Sequence, residues 1–341
     1  MIRSSLGRLG LFKTKAEEAA SGQRLTASHR AAGRRRSDFS LRAVRSRLFG
    51  LEADKGLLFR IILYILLIDV AFIYLKPVIY MVTTMVKAAP DLLDPAVIWV
   101  PTAIYGGHLA EALQMLNYAR SFGISLSVAT LSAVFQVFSC AVAGYAFARL
   151  EFPLKKLWFG ALLFTFIMPP QVTILPSILL FKELGWINTF LPMIVPTLFG
   201  HGLKGALFVL IFRQFFSTLP KEMEEAARID GAGSLRIFFR VMLPISRSAI
   251  VVVFLFSFVW AWNDAYFPSM YMFGAQDVPL SVGLSKLNAQ LAMEAQEGGL
   301  RAFLEPVKMA ASFLIILPLL VLYAFTQRWF VEGVERTGLV E

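Results

Sequence analysis

Six long apolar stretches, separated by short polar ones, set the pattern of this chain. Residues 121–148, 157–181 and 309–327 carry no charged residue, and each meets the roughly 20 residues that an α-helix needs to cross the hydrocarbon of a bilayer. Residues 57–86, 189–214 and 248–272 are equally apolar but hold isolated charges, among them Arg60, Asp69, Lys76, Lys204 and Asp264. The pattern predicts an all-α integral membrane protein with six spans.

The polar stretch between the fourth and fifth spans carries a pattern of its own. Leu219, Met223, Ala226 and Ala227 recur at helical spacing, Pro220 suits a first turn, and Glu222, Glu224 and Glu225 stand where a helix N-terminus favours negative charge. Gly231 and Gly233 are placed to end that helix, because glycine reaches left-handed backbone angles without a Cβ penalty. Ser234 is then positioned to cap a second helix with Leu235, Phe238, Phe239 and Met242 on one face and Arg236 with Arg240 on the other, up to Pro244. The prediction is a small helix-turn-helix at the membrane surface, with Ala226 and Ala227 keeping its profile low.

Composition excludes an ordinary soluble domain. Of 341 residues 57% are hydrophobic and 16% charged, against about 45–50% and about 25% in soluble folds. The internal segments hold 25 of the 33 Lys and Arg residues, 11 of them outside residues 1–60, and the loops on the other side six. By the positive-inside rule both termini are cytoplasmic, and so is the polar loop. Residues 1–55 are rich in Arg, Ser and Ala, with Arg34, Arg35 and Arg36 in succession, and are expected to form a disordered tail. Its basic charge suits anionic lipid, and nothing in the chain calls for nucleic acid. The first apolar run starts at Leu57 and is too long for a signal peptide. The single cysteine, Cys140, falls within a span, which leaves no disulfide framework and no thiolate metal site.

The stretch Glu225-Ala226-Ala227, then Gly231 and Leu243-Pro244, resembles the signature loop of permease subunits of binding-protein-dependent ABC importers. Further stretches at consistent order resemble the carbohydrate-uptake branch, specifically the second maltose permease subunit: Gly144 to Leu150, Met168 to Gln171, Leu184 to Thr189, Phe212 to Phe216, Trp262 to Asp264, and Gln327 to Gly333. This resemblance covers about Leu57 to Gly333. It implies a chain that works with an ATP-binding subunit dimer, a second homologous permease and an extracytoplasmic solute-binding protein, in the cytoplasmic membrane of a prokaryote. It implies that Met223, Glu224, Glu225, Ala226, Ala227, Asp230 and Gly231 form the surface that couples to the ATPase. No Gly-x-x-x-x-Gly-Lys-Ser/Thr loop occurs in the sequence, so the chain is expected to be non-catalytic, to bind no cofactor or metal, and to leave ATP to its partner.

Candidate residues for the translocation path follow from polarity at membrane depth. Pro169 and Pro170 must interrupt the third span, and Gln171 follows them. Trp260, Trp262, Asn263 and Asp264 cluster in the fifth span, where an ionisable residue by default faces a cavity, a partner helix or a path. Plain helix packing is the alternative for each of them. Residues 87–120 and 273–307 read as long connections without strong periodicity, which the resemblance assigns to the solute-binding protein.

The chain departs from the family pattern in three places: the long N-terminal tail, Ile124 before Ser125 where Asn is usual, and residues 334–341, read as a C-terminal cytoplasmic tail of atypical sequence. Other classes fit less well. A secondary transporter needs no docking helix, and His29, His108 and His201 lie too far apart in the topology for a membrane enzyme's metal cluster. An importer of amino acids, peptides or ions shares the loop and remains the nearest competitor.

Overall fold

The computed structural model describes residues 57–202, 204–296 and 301–338. The expected N-terminal tail therefore lies outside the described residues. Those residues are helices and connections, with one isolated bridge between Lys87 and Ile104. The first helix, α1 (Leu57–Met85), has 29 residues and a mean hydropathy of 2.4 over its most apolar window. At 1.5 Å per residue it is about 43 Å long, enough for the roughly 30 Å hydrocarbon core. Residues 57–78 form a unit separate from the remainder, and everything below concerns the remainder.

Two short helices, α2 (Ala89–Leu93) and α3 (Gly107–Met115), order the first long connection. Lys87 is buried and donates from Nζ to the carbonyls of Val97 at 2.7 Å and Ile98 at 3.0 Å. Asp91 accepts from the Thr102 backbone N–H at 2.8 Å and from the Thr102 hydroxyl. The hydroxyl bond is the main reason its carboxyl is held below the usual range. Two buried charged side chains, each satisfied by loop atoms, fix a segment that lacks a helical repeat.

The central element is α4 (Tyr118–Arg149), 32 residues long. Its packing face is made of small residues, and Ala129, Ala133 and Ala141 are all fully buried. In lipid there is no hydrophobic drive between helices, so small residues that let backbones approach are what holds them together. Gly144 is the extreme case: a Cβ there would lie 2.5 Å from Cβ of Phe212 and 2.9 Å from the backbone nitrogen of Arg213. We expect Gly144→Val to destabilise the fold by roughly 1–3 kcal/mol or more through overpacking, read as a melting point several degrees lower in detergent; an unchanged melting point would remove this contact from the account.

The third predicted span is two helices, α5 (Lys155–Ile167) and α6 (Pro170–Glu183), bent by 101°. The residue before a proline is pushed out of the helical region, and here that rule acts twice. Met168 (ψ 124°) precedes Pro169, and Pro169 (ψ 138°) precedes Pro170. The expected kink is thus a break.

The fourth span, expected over 189–214, is not one helix. It comprises α7 (Leu191–Ile194), a 3₁₀ turn (Val195–Phe199) and α8 (Gly205–Thr218), with residues 200–202 and 204 outside any helix. Pro192, Pro196 and the glycines at 200, 202 and 205 prevent continuation, and Lys204 itself is left-handed at φ 61°.

After the polar loop come α9 (Glu222–Ile229), α10 (Ser234–Ile237), a π turn (Phe238–Met242), α11 (Leu243–Ile245) and α12 (Arg247–Asn263). The chain bends by 78° between the segment ending at Ile245 and α12. Pro244 and the non-helical Ser246 (ψ 20°) account for the bend. Ser234 opens α10, but it does not cap it with its side chain.

The fifth span stops at Asn263. A short helix, α13 (Tyr266–Tyr271), continues after Asp264. The second long connection is also ordered in its middle by the 17-residue α14 (Leu280–Gln296), contrary to the reading of it as a loop. Leu280, Leu287 and Leu291 are buried and Leu284 is half-buried, a stripe at helical spacing. The last helix, α15 (Arg301–Gly338), starts before the expected span and runs through most of the segment read as a tail. The six expected spans thus correspond to three continuous apolar helices (Leu57–Met85, Tyr118–Arg149 and Leu304–Arg328), two bent pairs and the shorter Gly205–Thr218.

Two clusters form the core. One joins α4, α8, α10 and α12 near the polar loop through Tyr145, Phe208, Phe212, Phe216, Phe238 and Met242. The other joins α4, α12, α14 and α15 near the opposite end through Ala129, Trp262, Leu287, Ala311 and Leu314.

Candidate coupling surface and transmembrane cavity

α9 is amphipathic and ends as its sequence predicts. The N–H of Ala232 bonds to the carbonyl of Ala227 at 3.0 Å and that of Gly231 to the carbonyl of Arg228 at 2.9 Å. These are the paired 6→1 and 5→2 bonds of a Schellman motif, with Gly231 left-handed at φ 77°.

One face of α9 turns inward. Ala227 packs on the aromatic cluster, and Glu224 is buried. Glu224 Oε1 lies 3.2 Å from Nε of Arg149, the last residue of α4, and Oε2 lies 3.7 Å from Arg228. Both side chains of the Arg149–Glu224 pair are 6% exposed. Arg149 directs its Nε proton to the carbonyl of Phe216 at 2.9 Å, which also accepts the Leu219 N–H, and an Nη2 proton to the carbonyl of Leu219, both at the C-terminal end of α8 where carbonyls lack helical partners. A single guanidinium therefore ties together the ends of α4 and α8 and the inward face of α9. Its fork of five donors is what such a junction needs.

The other face of α9 is open. Met223, Glu225, Ala226, Ile229 and Asp230 are exposed. Ile229 is 87% exposed and Leu235, on the next helix, 75%. Ile229 had not been singled out in the sequence, although an apolar residue in an otherwise charged segment was the available signal; Leu235 had been placed on the apolar face of the second helix, and the structure leaves it exposed. Glu224, grouped with the coupling surface in the sequence, sits behind that surface, and holds it in place.

The candidate path residues do not converge. Trp262 is 1% exposed, donates from Nε1 to the carbonyl of Ile315 at 3.1 Å and stacks on Phe258, so it packs α12 against α15. Trp260 stacks on Phe208 with centroids 5.5 Å apart. Asn263 is exposed and bonds back to the carbonyl of Val259; Gln171 is exposed as well.

Asp264 is different. Its Oδ1 accepts from the N–H groups of Tyr266 at 3.0 Å and Phe267 at 3.3 Å, opening α13, and it lines a cavity of about 260 Å³. That cavity lies among α4, α5, α6, α12, α13 and residues 192–202 and 204–206, with Gln136, Lys204 and Ser257 in its wall. None of these three had been singled out as a path residue; Gln136 and Ser257, polar residues inside apolar runs, carried the signal that could have found them. Among the described residues no three His, Cys, Asp or Glu side chains gather to hold a metal ion.

Residues 140–336 match the family described as binding-protein-dependent transport system inner membrane component. This chain belongs to that family. The match encloses α9, the buried end of α4 that anchors it, and the helices around most of the cavity. The osmoprotective compounds uptake permease protein GgtD of Synechocystis sp. is 30% identical over 280 residues, covering 80% of this chain and 89% of that protein. The sn-glycerol-3-phosphate transport system permease protein UgpE of Yersinia enterocolitica is 29% identical over 256 residues, covering 72% and 86%. A solved bacterial ABC transporter involved in the import of the acidic polysaccharide alginate shares the fold, with a TM-score of 0.65 at 21% identity, covering 82% of this chain and 98% of that one. As a member of the family, this chain is the membrane permease component of an ABC importer and a non-catalytic subunit of it.

Proposed function

We propose that this permease passes a carbohydrate, a sugar or short oligosaccharide, across the cytoplasmic membrane of a prokaryote, with both termini cytoplasmic. It works with a second homologous permease, a solute-binding protein outside and an ATP-binding dimer inside. The carrying observation is α9: an exposed face with Ile229 at its tip, backed by a buried ion pair into the membrane helices. A helix that only rested on lipid would have no use for that pair, whereas a helix that transmits force needs one. ATP-driven closure of the partner dimer would carry α9 with it, and the differential binding of ATP to the two states is what shifts the spans.

Carbohydrate is supported by the names of the relatives, which concern osmoprotective compounds, glycerol phosphate and alginate. It is also supported by a cavity wall that mixes an amide, hydroxyls, a carboxylate and aromatic rings. Lys204 in the same wall favours one variant of this reading, a phosphorylated polyol. Uptake of labelled solutes by cells with and without this chain tests the reading. Loss confined to hydroxyl-rich solutes is expected, and loss confined to amino acids would move the chain to another branch of the family.

A further inference from the structure

We propose that Gln136 marks a solute-contact site within this subunit, where its amide oxygen accepts a hydrogen bond from a hydroxyl of the passing solute. The inference rests on the carbohydrate reading above. Gln136 sits in the middle of α4 and is 1% exposed. Its Nε2 donates to Sγ of Cys140 at 3.1 Å, a weak acceptor, and its Oε1 has no hydrogen-bond partner among the described residues. An amide oxygen that meets no donor of the protein takes its hydrogen bond from whatever fills the cavity it lines. A leucine would fill the same volume without offering that acceptor.

The amide lines the cavity, and glycines on the facing segment leave it uncrowded. A Cβ at Gly202 would fall 2.9 Å from Gln136 Oε1, and one at Gly205 would fall 2.9 Å from Nε2. Across the cavity Ser257 of α12 is 6% exposed, and its hydroxyl also makes no hydrogen bond among the described residues. Ser132, one turn from Gln136, shows the contrast: its hydroxyl donates to the carbonyl of Met193 at 3.1 Å and serves packing.

The unpaired groups are an amide acceptor and a hydroxyl, with Asp264 and the ring of Tyr271 in the same wall. A few convergent polar groups with aromatic surface are the recognition set of a small-molecule site. The set suits a solute that offers hydroxyl donors and apolar ring faces. At about 260 Å³ the cavity lies near the lower end of the roughly 300–1,000 Å³ usual for such sites, so it takes one ring or one short polyol at a time.

The test uses the whole importer in its own cells, with labelled sucrose, trehalose, maltose, glycerol and sn-glycerol 3-phosphate, and proline as a hydroxyl-free control. Uptake is compared between cells with the wild-type chain and cells lacking it, then in Gln136→Leu and Ser257→Ala, normalised to the chain present in the membrane. The expected result is a chain-dependent hydroxylated solute whose maximal uptake falls about fivefold in each variant, the effect of one lost hydrogen bond. If a hydroxylated solute depends on the chain and neither variant changes its uptake, the site is overturned and the carbohydrate reading stands. If only proline depends on the chain, or no member of the panel does, the carbohydrate reading itself falls and the site with it. Should Gln136→Leu fail to reach the membrane, Ser257→Ala, which removes one oxygen, decides alone.

Discussion

Replacing Arg149 with alanine is expected to separate ATP hydrolysis from solute uptake. The substitution leaves buried Glu224 with only the exposed Arg228, 3.7 Å away, as counter-charge, and removes the side-chain donors to the carbonyls of Phe216 and Leu219. Removing one partner of a buried ion pair typically costs about 3–5 kcal/mol, more than the packing of an eight-residue helix can absorb. α9 should come loose from α4 and α8, so that motion imposed on it no longer reaches the spans. Glu224→Gln takes the carboxylate from the buried Arg149, but it should be milder, because the guanidinium keeps its two carbonyl acceptors and the amide oxygen can still face it. Arg149→Lys should fall between the two, since an ammonium lacks the planar fork that serves three acceptors at once. The measurement is uptake per ATP hydrolysed by the reconstituted importer. Equal ratios for Arg149→Ala and wild type would show that the junction transmits nothing.

The second large effect belongs to Gly231. At φ 77° it adopts a conformation that glycine enters freely and β-branched residues almost never adopt. No atom lies within 4 Å of where its Cβ would stand, so any effect of substitution arises from backbone conformation and not from a clash. Gly231→Val should break the Schellman bonds, reorient α9 and uncouple the importer. Gly231→Asn should be tolerated, because asparagine visits left-handed angles at small cost. A Gly231→Val importer that still ties hydrolysis to uptake would contradict the account.

How far the structure could be read from sequence depends on whether the deciding interaction was local. α9, its acidic first turn and its glycine stop follow from residues close in the chain, and the structure places them as expected. The double proline announced a break at 169–170; its size, 101°, did not follow from a single-proline kink. α14 was legible, since Leu280, Leu284, Leu287 and Leu291 keep a helical period, but the long connection around it hid the repeat. What could not be read were the pairings between distant segments. Nothing within α9 tells Glu224 from Glu225, because only the approach of Arg149, 75 positions away, turns one inward and leaves the other exposed. Trp262 likewise becomes a packing residue only when the carbonyl of Ile315 is found beside its indole N–H.

The central claim is that the exposed face of α9 docks the ATP-binding subunit. It is tested most directly by purifying this chain from its native membranes with wild-type α9 and with Ile229→Asp. Ile229 is 87% exposed, so the substitution should leave the fold and membrane level of the chain unchanged while placing a charge at the tip of the docking face. The account predicts that an ATP-binding subunit accompanies the wild-type chain and is lost from the Ile229→Asp chain. Full retention of that subunit by the variant, or a wild-type chain that brings no ATPase with it, would contradict the claim.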